Sequence, residues 1–119
     1  LPYEDPVAYA SEELVLQYNP NWSGAGERKH PIAIAEEWLD DFTVTHQMEC
    51  DLDVPFTRES WNGRIKACRG IGASLPPEEI AAWEAEHLQL LERLAPESFT
   101  IRHYAALAEL TKKPEKEVE

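Results

Sequence analysis

Apolar residues recur along this chain with two periods, three-to-four and two, and the changes of period mark out helices and strands. The first segment is helical. Asp5 is placed to cap it and Pro6 to fill its first position, where the missing proline N–H costs nothing. Val7, Tyr9 or Ala10, Leu14, Val15 and Tyr18 form its apolar stripe, and Asn19-Pro20-Asn21 breaks it. Residues 22–29, with Gly24 and Gly26, read as a loop. A second helix is expected from Pro31, weakly capped by His30, with Ile34, Ala35, Trp38 and Leu39 on its buried side and Asp40-Asp41 at its end.

The period then changes to two. Phe42, Val44, His46, Met48 and Cys50 alternate with Thr43, Thr45, Gln47 and Glu49, a strand pattern that runs on through Leu52 and Val54 to Pro55. Thr57 caps a third, short helix through Trp61, Arg64, Ile65 and Cys68. Gly70-Ile71-Gly72 reads as the turn that ends it, with glycine free to take the left-handed conformation. Pro77 opens the longest helix, whose first turn carries Glu78 and Glu79, a charge suited to the helix dipole. Ile80, Trp83, His87, Leu90, Leu91 and Leu94 are its apolar positions, and Pro96 closes it. Residues 99–110 form a second strand, apolar on both faces: Ile101, Ala105 and Leu107 against Tyr104, Ala106 and Ala108. Such a strand is expected to be buried in a sheet. Two strands do not make a self-sufficient sheet, so it needs neighbours beyond these segments or a second copy of the chain.

The order helix, helix, strand, helix, helix, strand gives a mixed α/β class, α+β for two strands with about four helices. With 119 residues the chain suits one domain. Residues 1–112 carry the pattern and residues 113–119 a charged tail expected to fray. The balance of 23 acidic against 11 basic residues, a net charge of −12, repels phosphate backbones and anionic headgroups, so neither nucleic acid nor membrane is an expected partner. Cys50 and Cys68 lack CxxC spacing and are expected as reduced thiols of a cytoplasmic protein. No apolar run approaches the roughly 20 residues that span a bilayer, and no basic stretch followed by an apolar one opens the chain. The first residue, Leu1, is not a methionine.

Candidate chemistry is sparse. His30, His46, His87 and His103 are scattered, without HExxH or short ligand spacing, and no metal is expected. His46 and His103 fall on strands and could approach each other across a sheet, or serve as a base in an unrelated enzyme. No GxSxG elbow is present. Gly70-Ile71-Gly72-Ala73 follows a helix rather than a strand, which argues against a dinucleotide loop. The informative stretch is 56–75. Trp61, Arg64 and Cys68 recur there at spacings of three and four and share one helix face. An indole beside a guanidinium can hold an anionic or flat ligand.

That stretch carries a resemblance. A strand, then Phe-Thr-x-Glu-x-Trp-x-Gly-Arg-Ile (56–65), then Ala-Cys-Arg-Gly-x-Gly-Ala-Ser-Leu (67–75) is similar to the C-terminal region of bacterial class I S-adenosylmethionine (SAM)-dependent methyltransferases of the methyltransferase-11 type. The likeness continues through Pro77-Glu78-Glu79 to Ile101-Arg102-His103, and residues 12–22 resemble the helix that follows the central strands of that family. It implies a Rossmann-like fold, of which the two strands are the last two of seven, the final one antiparallel to its neighbours. Residues 61–94 would be an insertion that helps cover the substrate pocket.

By the same resemblance Trp61, Arg64 and Arg69 are candidate substrate-binding residues, and the partner is a small-molecule methyl acceptor. SAM would be the cofactor of the full-length enzyme. No strand–glycine-loop–helix unit occurs in the chain, so none of its residues is expected to bind SAM and the chain alone is expected to be inactive. A half-sheet with an open edge and bare apolar faces is expected to self-associate as a homodimer or higher oligomer. The second class of function considered is a stand-alone binding or oligomerisation domain descended from such an enzyme, using the Trp61/Arg64 face for an anionic ligand or protein partner.

Overall fold

Helix α1 (Pro6–Tyr18) begins as its sequence requires: the Asp5 carboxylate accepts the Val7 and Ala8 N–H groups at 2.9 and 3.0 Å, and Pro6 occupies the first turn. Ala8, Ser11, Leu14 and Val15 make its buried stripe. The Asn19 N–H returns to the Val15 carbonyl at 2.8 Å and closes the helix. The computed structural model describes residues 2–26 and 32–115.

No α-helix forms at 32–40. The expected cap His30 and start Pro31 lie outside the described residues, and only a 3₁₀ turn, Glu36–Asp40, follows. Trp38 and Leu39, expected on a buried side, are 45% and 40% exposed. The segment has no side-chain cap and carries four carboxylates in six residues, from Glu36 to Asp41. With no helix face to pack against, its apolar residues do not sustain a longer helix.

Strands β1 (Phe42–Thr57) and β2 (Ser98–Lys112) pair antiparallel in a two-stranded sheet, from Thr57 opposite Ser98 to Phe42 opposite Lys112. A bulge between Val44 and His46 shifts the register, and the Thr45 hydroxyl bonds to Glu109 there. Alternation puts Met48, Cys50, Leu52, Val54 and Phe56 on one face with Leu107, Ala105, His103, Ile101 and Phe99. The outer edge of β2 takes one further bridge, Pro2 to His103, antiparallel, with the Tyr3 N–H on the Arg102 carbonyl at 3.2 Å.

Helix α2 (Arg58–Lys66) starts on a reciprocal cap: the Thr57 hydroxyl accepts the Ser60 N–H at 3.0 Å, and the Ser60 hydroxyl accepts the Thr57 N–H at 2.8 Å. Arg58 fastens it to the end of the next helix through two bonds to the Ala95 carbonyl. A tight turn follows, and neither Gly70 nor Gly72 takes the left-handed conformation expected of it. Close approach explains them instead. A Cβ on Gly70 would lie 2.6 Å from Val15 Cγ1, and one on Gly72 2.5 Å from the Lys66 carbonyl oxygen.

Helix α3 (Pro77–Leu94) buries Trp83, His87 and Leu91 at successive spacings of four, while Leu94, expected among the apolar positions, is 49% exposed. Ala8, Leu14, Val15, Trp61, Ile65, Ile71, Trp83, Leu91 and Ile101 make one core, where α1, α2 and α3 meet the near end of the sheet. The far end is about half exposed among the described residues, with Ile32 beside Met48 and Leu107. Met48, Leu52 and Leu107 are 47%, 47% and 52% exposed, so β2 is not buried on both faces along its length as its composition suggested. The radius of gyration is 19.1 Å, against about 13–14 Å for a compact chain of this size. The ribbon projects from the helices instead of lying under them.

Candidate functional site

Beside that core lies a cavity of about 300 Å³, lined by Ala8 and Glu12 of α1, Trp22 and Gly24 of the following loop, Trp61, Arg64 and Ile65 of α2, and Cys68, with Pro2. Trp61 is its fixed wall. Its ring is fully buried, meets Phe56 edge-on at 4.9 Å, and its indole N–H donates to the Ser11 hydroxyl at 3.0 Å. The Arg64 guanidinium sits over this ring, 5.2 Å from its centroid. Partial burial pushes the guanidinium below its ordinary value, and the neighbouring Cys68 works against that shift.

Trp61, Arg64 and Cys68 therefore share one cavity, as their spacing implied. Cys68 lies just past the last turn of α2. Arg69 is elsewhere. It lines a separate hollow with Asn19, Asn21, Ser23, Ser74 and Leu75, and only Trp22 borders both.

His46 and His103 do not meet. His46 is opposite Glu109 and His103 opposite Leu52. Positions 46 and 52 of β1 are about 20 Å apart at the rise of an extended strand. His46 is exposed. His103 is buried, donates Nδ1–H to the Ile101 carbonyl at 2.9 Å and stacks on Phe56. Burial holds it below the usual histidine value, the backbone bond opposes this, and the nearby Arg64 charge lowers it further.

The structure also assembles a polar line that sequence reasoning did not find. Ser11 Oγ and His87 Nε2 are 2.8 Å apart, His87 Nδ1 and Asn62 Oδ1 2.9 Å, and Asn62 Nδ2 donates to Glu84 at 2.9 Å. Lys66 pairs with the same carboxylate at 3.1 Å. One proton arrangement satisfies every member: Ser11 donates to His87 Nε2, and His87 Nδ1–H donates to Asn62. The available signal was that Ser11, Asn62 and His87 each fall on the apolar stripe of a different helix, and buried polar groups need partners.

The order serine, histidine, asparagine has the form of a hydrolase triad, but Ser11 and His87 are 0% exposed and Asn62 5%. No substrate carbonyl reaches Ser11 Oγ, which already accepts from Trp61. The line locks α1, α2 and α3 together and fixes the wall of the cavity.

Among the described residues no three His, Cys, Asp or Glu side chains come together to hold a metal, and no helix is long and apolar enough to cross a membrane. Cys50 and Cys68 are free thiols. Compared with models of known protein families, with curated proteins and with solved structures, the chain matches none of them.

Proposed function

We propose that this chain is the substrate-side part of a Rossmann-like, cytoplasmic methyltransferase domain that uses SAM to methylate a small molecule. The observation that carries the proposal is the 56–75 stretch: its Trp61 and Arg64, the residues of the Trp-x-Gly-Arg motif, stand together in the wall of a cavity. Two features of the fold agree with it. The strands pair antiparallel with α2 and α3 inserted between them. The outer edge of β2 already accepts one bridge from Pro2, as an edge does where a further strand belongs.

SAM supplies an electrophilic methyl group where it binds. This chain's residues do not fit that role. The Gly70–Gly72 turn follows a helix instead of a strand, and the space beside its glycines, where a cofactor would approach the backbone, is filled by Val15, Trp22 and the Lys66 carbonyl. The part left to this chain is to bind and orient the acceptor. Trp61, buried and held by Ser11 and Phe56, fixes the cavity wall from behind, and Arg64 presents a forked donor at its edge. Arg69, in its own hollow, has no share in that cavity. The half-exposed ribbon face around Met48, Leu52 and Leu107 would be covered by the rest of the domain, or by a second copy when this chain is alone.

Equilibrium dialysis with radiolabelled SAM tests this. The protein made from the whole reading frame should bind SAM saturably, and this chain alone should not. A full-length product that binds no SAM would overturn the proposal.

A further inference from the structure

The two edges of the ribbon are not equivalent. Tyr3 donates its N–H to the Arg102 carbonyl, so the backbone groups of Arg102 point away from β1. Alternation turns those of Ala106, Ala108 and Leu110 outward as well. On β1 the register sets Gln47, Glu49, Asp51, Asp53 and Pro55 opposite outward residues of β2, so their backbone groups face the other edge. That edge is guarded. Glu49, Asp51 and Asp53 carry charge along it, and Pro55 has no N–H to offer.

The β2 edge beyond the Pro2 bridge has no such guard. Residues 105–110 run Ala-Ala-Leu-Ala-Glu-Leu, and no described residue bonds to the outward groups of Ala106, Ala108 and Leu110. The strand is apolar on both faces, as one with a neighbour on each side is. Pro2 already pairs antiparallel with this edge at His103, so the edge accepts a strand of that direction. A second copy of β2 meets the requirement under a two-fold axis, which makes the pairing antiparallel and sets outward residues against outward residues. An axis at Ala108 puts Ala108 opposite itself and Ala106 opposite Leu110, with two backbone bonds at each pair. Leu107 then stands opposite Glu109, and no like charges meet. An axis at Glu109 would set two carboxylates against each other. One at Leu107 would run Leu110 into the edge at Tyr104, beside the Pro2 bridge.

We propose that the outer edge of β2 at residues 106–110 pairs antiparallel with the same edge of a second copy, with the two-fold axis at Ala108. The two-stranded sheet of each copy then joins into one sheet with β1 at both margins. The contact is short and belongs with the small, transient interfaces. It concerns the chain as it stands and holds whether or not the methyltransferase proposal does.

Sedimentation equilibrium from about 10 µM to about 1 mM protein should show a monomer–dimer equilibrium. Over the same range, hydrogen exchange at the Ala106, Ala108 and Leu110 amides should slow as concentration rises, while the Gln47 and Glu49 amides on the other edge keep their rates. Ala108→Pro removes an outward N–H and no bond to β1. It should weaken the dimer about tenfold or more and leave the melting temperature within a few degrees. Gln47→Pro, at the same level of the other edge, should leave the dimer unchanged. Should Ala108→Pro fail to fold, the exchange measurement on the parent decides alone. A chain that stays monomeric throughout, or a dimer whose Ala106, Ala108 and Leu110 amides exchange as fast as the monomer's, would overturn the proposal. So would a dimer that Gln47→Pro breaks and Ala108→Pro does not.

Discussion

His87 gives the sharpest test of how the helices are held. It is fully buried between Ser11 and Asn62 and stacked at 4.8 Å on Trp83. Burial pushes it down to about 4 from 6.5, opposed by the nearby Glu84 carboxylate. Both of its nitrogens are engaged, and protonating Nε2 would turn the acceptor of the Ser11 hydroxyl into a donor facing a donor. The unfolded chain therefore takes up the proton first, near its ordinary value. Stability is complete above about pH 6.5 and is lost as pH falls from there towards 4. A folded value of about 4 corresponds to a loss on the order of 3 kcal/mol, at most about 1.4 kcal/mol per pH unit. A marginally stable domain would feel that strongly.

The assay is urea unfolding from pH 7.5 to 4 on the parent and on His87→Gln, which keeps polar atoms at the site but does not titrate. Carboxylates contribute in both proteins. Glu84, held below its ordinary value by Asn62 and Lys66, also loses stabilising effect as pH falls. The difference between the two curves isolates His87. The parent should lose about 3 kcal/mol more than the variant. Parallel curves, or a His87 ring resonance that titrates near 6.5 in the folded protein, would refute the reasoning.

Four further expectations can be checked by thermal or urea unfolding and by sedimentation. Trp61→Phe should cost about 2–3 kcal/mol, since it loses ring volume and a buried hydrogen bond to Ser11. Trp83→Phe should cost less, because the Trp83 indole N–H is buried with no acceptor and its removal relieves that penalty; an equal or larger cost would contradict this. Gly70→Ala should destabilise by about 1–3 kcal/mol through the clash with Val15 and Trp22. Leu107→Glu, at a position 52% exposed, should leave the melting temperature within a few degrees and reduce self-association, and an unchanged oligomer distribution would show that the ribbon face is not the contact.

The sequence made the ends of its elements readable wherever one residue type performs one local task. Asp5-Pro6, Thr57 and Pro77 each mark a helix start that the structure reproduces. Period-two alternation locates β1 and an apolar run on both faces locates β2, though neither shows the bulge at Thr45, which depends on the partner strand. At 32–40 apolar spacing overstates the helix, because it records a face that could be buried, not a surface to bury it against. The same reason explains Leu94 and the half-exposed end of β2. At Gly70 the sequence suggests a matter of backbone conformation, whereas the constraint comes from Val15 and Trp22, far away in the chain. At the site, helical spacing was enough to bring Trp61, Arg64 and Cys68 together. The Ser11–His87–Asn62 line was not readable, since it joins three helices whose relative placement only the tertiary packing defines.

The most direct measurement of the central claim is the reading frame upstream of the codon for Leu1. If the frame continues through a strand, a glycine-rich loop opening a helix, and an acidic residue about 20 positions on, and its product transfers a methyl group from SAM, the methyltransferase proposal stands. A start codon immediately upstream, with a product that neither binds SAM nor transfers methyl groups, would contradict it.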